Sequence, residues 1–141
     1  MKILITGNMG YVGPILIRQL RNSDPDADLI GLDMGYFGNC LSSAGILPEC
    51  MVNRQCFADV RTLPGELLSG VDAVVYLAAL SNDPLGHAFE EATLDINYRA
   101  CVRAAKRLKK PGSSRLFSRR VAVSTVMQRM EHAPRNLLLT H

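Results

Sequence analysis

A short apolar strand running straight into three spaced glycines constrains this chain more than any other feature. Met1-Lys-Ile-Leu-Ile-Thr-Gly-Asn-Met-Gly-Tyr-Val-Gly-Pro14 reads as strand, tight turn and helix in that order, the setting a dinucleotide-binding glycine motif needs. Each glycine has its own task. Gly7 lets the chain leave the strand in a sharp turn, Gly10 lets backbone approach a pyrophosphate, and Gly13 lets the helix pack on the strand. The helix N-terminus then directs unpaired N–H groups at the phosphates.

With 141 residues, 48% of them hydrophobic and 21% charged, the chain suits one domain with a core of its own and is short for two. No apolar run reaches membrane-spanning length, and the longest, Val71 to Leu80, is broken by Asp72 and reads as a buried strand. Residues 1–6 lead into glycine chemistry and carry no signal-peptide pattern. Cys40, Cys50, Cys56 and Cys101 form no C-x-x-C pair and have no His at metal-ligand spacing. They are expected to be reduced thiols of a cytoplasmic protein, with no metal site. The net charge of +3 belongs to the tail: residues 1–110 hold 11 Lys/Arg against 12 Asp/Glu, and residues 111–141 hold five Arg against one Glu. That tail has no basic run beyond Arg119-Arg120 and one aromatic, Phe117, so neither a nucleic-acid nor a membrane partner is expected.

The periodicities predict strands at Lys2–Thr6, Ala27–Leu32, Val52–Ala58 and Val71–Leu80. The first helix is expected to start around Tyr11–Gly13, with Pro14 in its first turn where a missing N–H has no partner anyway. A brief helix over Leu63–Leu68, capped by Thr62, and a loop with one short helical turn between Met34 and Pro48 follow. Phe89 to about Lys110 reads as a long helix with Phe89, Ala92, Ile96, Ala100 and Ala104 on its buried face. Ser81 to Gly86 reads as a turn-rich loop. Alternating strands and helices in this order predict an α/β fold, a Rossmann-like doubly wound parallel sheet with right-handed crossovers.

Three further places carry chemistry. Asp33 lies twenty residues after Gly13 at the end of the second strand, where a carboxylate accepts from both ribose hydroxyls of an adenosine and repels a 2′-phosphate by several kcal/mol. NAD(H) is therefore the expected cofactor rather than NADP(H). Asp59-Val60 ends the third strand at the same carboxyl edge, where a carboxylate can accept from an adenine amino group and the next backbone unit can address the ring. Ala78-Ala79 are small enough for a cofactor to lie over their backbone, although small residues also suit a buried strand.

Together these motifs resemble the extended short-chain dehydrogenase/reductase family in its nucleotide-sugar epimerase/dehydratase branch. The matching pieces are Thr6-Gly-Asn-Met-Gly-Tyr-Val-Gly13, Leu32-Asp33, Asp59-Val60-Arg61, Tyr76-Leu-Ala-Ala79 and Asp95-Ile-Asn-Tyr98, with Leu80-Ser-Asn-Asp-Pro-Leu-Gly86 similar to the loop after strand four in some members. The likeness runs from Met1 to about Gly112. It implies that Tyr11 and Val12 contact the pyrophosphate, Asp33 the ribose, and Asp59 and Val60 the adenine. Ala78, Ala79 and Ser81 would line the nicotinamide side, and Asn97 would brace the active site through its backbone. Position 76, often His in the family, is Tyr here.

The resemblance stops short of the family's catalytic pair, a Tyr-x-x-x-Lys that moves a proton to or from the sugar hydroxyl. The tyrosines are Tyr11, Tyr36, Tyr76 and Tyr98, and none has Lys four residues on. No catalytic residue is assigned. Residues 1–112 are expected to form an NAD-binding half-domain, truncated to about four to five strands. Residues 113–141 are expected to be a divergent tail, whether out of frame, disordered or a real divergent truncation, in which Arg115–Ser118 starts as a fifth strand and Arg119–Thr125 offers a substitute. The implied function is NAD(H) binding as the cofactor portion of a nucleotide-sugar epimerase or dehydratase that does not turn over by itself. The alternative is a non-enzymatic redox sensor or regulatory module. A homo-oligomer stays open.

Overall fold

The structure is a computed structural model and describes residues 1–36, 47–80, 89–108 and 115–118. Strand β1 (Lys2–Thr6) is apolar at Ile3, Leu4 and Ile5 because both its faces are covered. Ile3 and Ile5 pack on one face with Ile17, Ala27, Leu29 and Ala73. Leu4 packs on the other with Ile30, Leu32, Val74, Tyr76, Ala100, Ala104 and Leu108. The same alternation runs through β2 (Asp28–Asp33) and β4 (Ala73–Tyr76). Two cores on opposite faces are what a doubly wound sheet requires.

All strands are parallel, in the order β3-β2-β1-β4-β5, with β3 at Arg54–Phe57 and β5 at Arg115–Ser118. Strand order reverses at β1: β2 lies on one side and β4 on the other, so a topological switch point opens between them. Pairing of Thr6 with both Leu32 and Tyr76, and of Asp33 with Phe57, levels the carboxyl ends. Bonds past the strands keep this edge ordered, from Gly7 N to Leu32 O (2.8 Å), Leu77 N to Thr6 O (3.0 Å) and Ala58 N to Asp33 O (3.1 Å).

Helix α1 (Gly13–Ser23) turns Ile17 into the first core. Across the sheet, α2 (Glu90–Leu94), a π-helical turn (Asp95–Ala100) and α3 (Cys101–Leu108) run head to tail. The expected single helix is thus present but widened in its middle. Phe89 precedes its first turn and is 57% exposed, while Thr93 is buried in its place. The expected helix at Leu63–Leu68 is instead a pair of 3-10 turns, Val60–Thr62 and Gly65–Leu68. Thr62 caps neither: Asp59 caps the first turn and Thr62 lies inside it, while Pro64 stands at the N-cap of the second. The observed β3 and β4 are shorter than the predicted strands, although single backbone bonds continue past their ends, as at Ala58 and Leu77. The Ser81–Gly86 loop, most of the Met34–Pro48 loop and the alternative strand at Arg119–Thr125 lie outside the described residues.

Arg21, near the end of α1, holds the opposite edge of the sheet together. Its guanidinium donates to the carbonyls of Met51 (2.8 Å), Pro25 (3.1 Å) and Ala27 (2.7 Å) and to Asn53 Oδ1 (2.5 Å). Asn53 Oδ1 in turn accepts from Leu29 N at 2.8 Å.

Candidate functional site

The glycine turn is built by close approach. Gly7 has φ +72°, and a Cβ there would stand 2.6 Å from Ala78 N, so only glycine lets β1 exit against the end of β4. A Cβ on Gly13 would fall onto the Asn8 carbonyl, well inside contact distance. The helix therefore packs on the turn itself, where a contact with the strand was expected. Gly10 differs. A Cβ there would meet only Gly7 O, at 3.2 Å, a contact that a few tenths of an ångström would relieve. Packing thus constrains this position far less than Gly7 or Gly13. No side chain caps α1 and no acid lies in its first turn, which leaves its positive end for an anion. Tyr11 is 93% exposed beside it, and Val12 is half-buried.

Asp33 leaves β2 next to this turn. Its Oδ1 accepts from Gly35 N at 2.8 Å and its Oδ2 from Met9 N at 3.1 Å. The carboxylate expected at the ribose thus also ties down the glycine turn. Asp59 follows β3, with Oδ1 accepting from Arg61 N at 2.8 Å and Oδ2 from Arg61 Nε (2.8 Å) and Nη2 (2.5 Å). These bonds hold its carboxyl below the usual carboxylate range, the side-chain bond from Arg61 being the largest cause. Arg103 and Arg107 of α3 fix the same loop from outside by donating to Arg61 O (3.3 Å) and Leu63 O (2.7 Å). Val60 is buried under it.

Ala78 and Ala79 are half-buried after β4. Asn97, on the π-helical turn, pairs with the backbone of Leu80 in both directions at 2.8 Å, Oδ1 accepting from the N–H and Nδ2 donating to the carbonyl. A brace was expected from its backbone; its side chain supplies one here. The buried Tyr76 hydroxyl donates to Ile96 O at 2.7 Å, also on that turn, and burial pushes its pKa upward. The Tyr in place of His at 76 thus finds a partner. Ser81 lies outside the described residues.

Two residues that the motifs did not single out complete the turn. Asn8 is fully buried, and its side-chain amide pairs reciprocally with Gln55 of β3, Asn8 Nδ2 to Gln55 Oε1 at 2.7 Å and Gln55 Nε2 to Asn8 Oδ1 at 3.2 Å. The sequence shows a glycine, Gly31, inside an apolar strand, but nothing in it names the pair that fills the space above.

The glycine turn, Asp33, Asp59-Val60 and Ala78-Ala79 share one sheet edge, astride the switch point between β1 and β4. A glycine turn, an uncapped helix N-terminus and a flanking carboxylate fit a dinucleotide. Among the described residues no cluster of His, Cys, Asp and Glu could hold a metal ion, and no helix is long and apolar enough to cross a membrane.

Comparison with known structures agrees with this architecture. MoeE5 in complex with UDP-glucose and NAD superposes with a TM-score of 0.65 at 24% identity, covering 84% of this chain and 36% of that one. TunA, an NAD dependent NDP-hexosamine 5,6-dehydratase involved in tunicamycin biosynthesis, gives 0.66 at 25% identity over 83% and 36%. The UDP-glucuronic acid 4-epimerase from Bacillus cereus in complex with NAD gives 0.61 at 19% over 84% and 38%. The chain spans little more than a third of the length of these structures. No curated protein matches it. A family profile described as the NAD dependent epimerase/dehydratase family matches residues 3–128. With a Rossmann-like sheet, a glycine turn at its switch point and that match over most of its length, the chain belongs to the NAD dependent epimerase/dehydratase family.

Proposed function

We propose that this chain binds NAD(H) as the cofactor-holding portion of a nucleotide-sugar epimerase or dehydratase, and that these 141 residues do not turn over alone. The observation that carries this reading is the shared edge. Gly7 presses on Ala78, so the turn that would hold the pyrophosphate and the backbone that would face the nicotinamide meet at the β1/β4 switch point. Gly10, Tyr11, Val12 and Gly13 would hold the pyrophosphate through backbone N–H groups, Asp33 the adenosine ribose, and Asp59 with Val60 the adenine. Ala78, Ala79 and Ser81 would line the nicotinamide side, backed by the Asn97 brace on Leu80.

When bound, NAD supplies a hydride acceptor for the carbon of a sugar hydroxyl. The chain's own residues bind and orient it. None of its tyrosines is followed by Lys at the fourth position, and Tyr76 is committed to Ile96 with its proton held tightly. A nucleotide sugar is the partner this family chemistry implies. Residues 1–112 are assigned to the cofactor half-domain and residues 113–141 to a divergent tail. In the fold, β5 falls within that tail and pairs with β4.

Purified protein incubated with NAD and a panel of nucleotide sugars tests the proposal. Saturable NAD binding without 4-epimerisation or dehydration, followed by NMR of the sugar, is the expected result. Catalytic turnover would refute the claim that the chain lacks its proton-transfer pair, and failure to bind NAD would remove the proposal altogether.

A further inference from the structure

The amide pair beneath the glycine turn has a purpose that the cofactor contacts do not account for. Gly31 and Gln55 are direct cross-strand partners, and Ile5 of β1 faces Gly31 from the other side. A Cβ on Gly31 would stand 2.5 Å from Asn8 Nδ2 and closer still to Gln55 Oε1, so the missing side chain of β2 is the space in which the two amides meet. Asn8 reaches this space from within the turn, while its own carbonyl forms the seat for Gly13 at the start of α1. It therefore joins the turn, the helix N-terminus and β3. Gln55 Nε2 also lies 3.3 Å from Cys56 O. Among the described residues, the Asp33 bond to Met9 N is the one other side-chain bond from the sheet to the turn.

We infer that the Asn8–Gln55 pair, seated over Gly31, holds the glycine turn in the shape that receives a pyrophosphate, which makes Gln55 a positioning residue acting through Asn8. This rests on the cofactor reading above. An uncharged reciprocal pair suits the place. It satisfies a fully buried amide without adding a negative charge beneath a phosphate site. Breaking it leaves the Asn8 amide unpaired under the turn and lets the turn sample other shapes, and affinity falls with the fraction that stays competent. The effect should reach ligands through their phosphates and spare the adenosine end, which is held by Asp33 and the Asp59 loop.

The test is equilibrium titration of the full chain with NAD, ADP and adenosine, comparing wild type with Gln55→Leu and the uncharged, similarly long Gln55→Met, each with a thermal melt. Both variants are expected to bind NAD and ADP about tenfold more weakly while adenosine changes by less than about twofold. Should Gln55→Leu fail to fold, Gln55→Met carries the test, since it keeps the length of the side chain, adds no charge and loses the donation to Asn8 Oδ1. Unchanged NAD affinity, or equal weakening of all three ligands, overturns the inference and leaves the cofactor reading standing. Wild-type protein that binds none of the three overturns both.

Discussion

Gly7 and Gly10 look alike in the motif and do different work. At Gly7 the backbone is left-handed and a Cβ would strike the backbone of Ala78. Gly7→Ala is therefore expected to cost at least about 2 kcal/mol, read as a lower urea midpoint. At Gly10 the chain itself has nearly enough room, so Gly10→Ala should keep its midpoint within about 0.5 kcal/mol and lose NAD affinity instead. Equal destabilisation by both would contradict the separation of roles.

Asp59 has a measurable signature at the same scale. Its folded pKa is lowered, so its contribution to stability is present above the ordinary carboxylate value of 3.8 and is lost as pH falls through the lower folded value. Arg61→Gln should remove this acid-side dependence. The loss should be small, because the pair is partly exposed. Identical acid melts of the variant and wild type would count against the pairing.

Among elements, the sheet and α1 were legible in the sequence because their signals are strong and local. Continuous apolar runs read as doubly covered strands, and Pro14 marks the first helical turn. The 3-10 turns at Val60–Thr62 and Gly65–Leu68 were not, because a short apolar stretch after a strand has the same composition whether it winds as α or 3-10. The π-helical turn escaped for a different reason. Its supports, Tyr76 to Ile96 O and Asn97 to Leu80, join residues about twenty apart. Tyr76→Phe leaves the Ile96 carbonyl without the hydroxyl and is expected to cost about 1–3 kcal/mol with NAD affinity unchanged. Calorimetry with and without NAD checks both halves.

The staple at Arg21 joins α1 to the starts of β2 and β3 and was equally invisible, since its acceptors are mainly backbone carbonyls. Arg21→Lys keeps the charge but cannot reproduce the planar fork. It should destabilise by about 1–2 kcal/mol, while a fully stable Lys variant would show the fork to be dispensable.

Over the whole molecule, the positions of the cofactor motifs follow from one decision in the fold, the reversal of strand order at β1. Glycine turn, Asp33, Asp59 and Ala78 are separated by 19 to 26 residues along the chain, yet parallel pairing brings each to the same edge. That much could be read from spacing and strand ends. The supports behind them, Asn8 with Gln55 and Asn97 with Leu80, could not, because polar residues in or near strands carry no mark of the partner they will meet. The most direct measurement is calorimetric titration of the purified chain with NAD and NADP, for wild type and Asp33→Ala. The account predicts saturable NAD binding by wild type, at least about tenfold weaker binding of NADP, and loss of most of that preference in the variant. No NAD binding, or equal binding of the two cofactors by wild type, would contradict it.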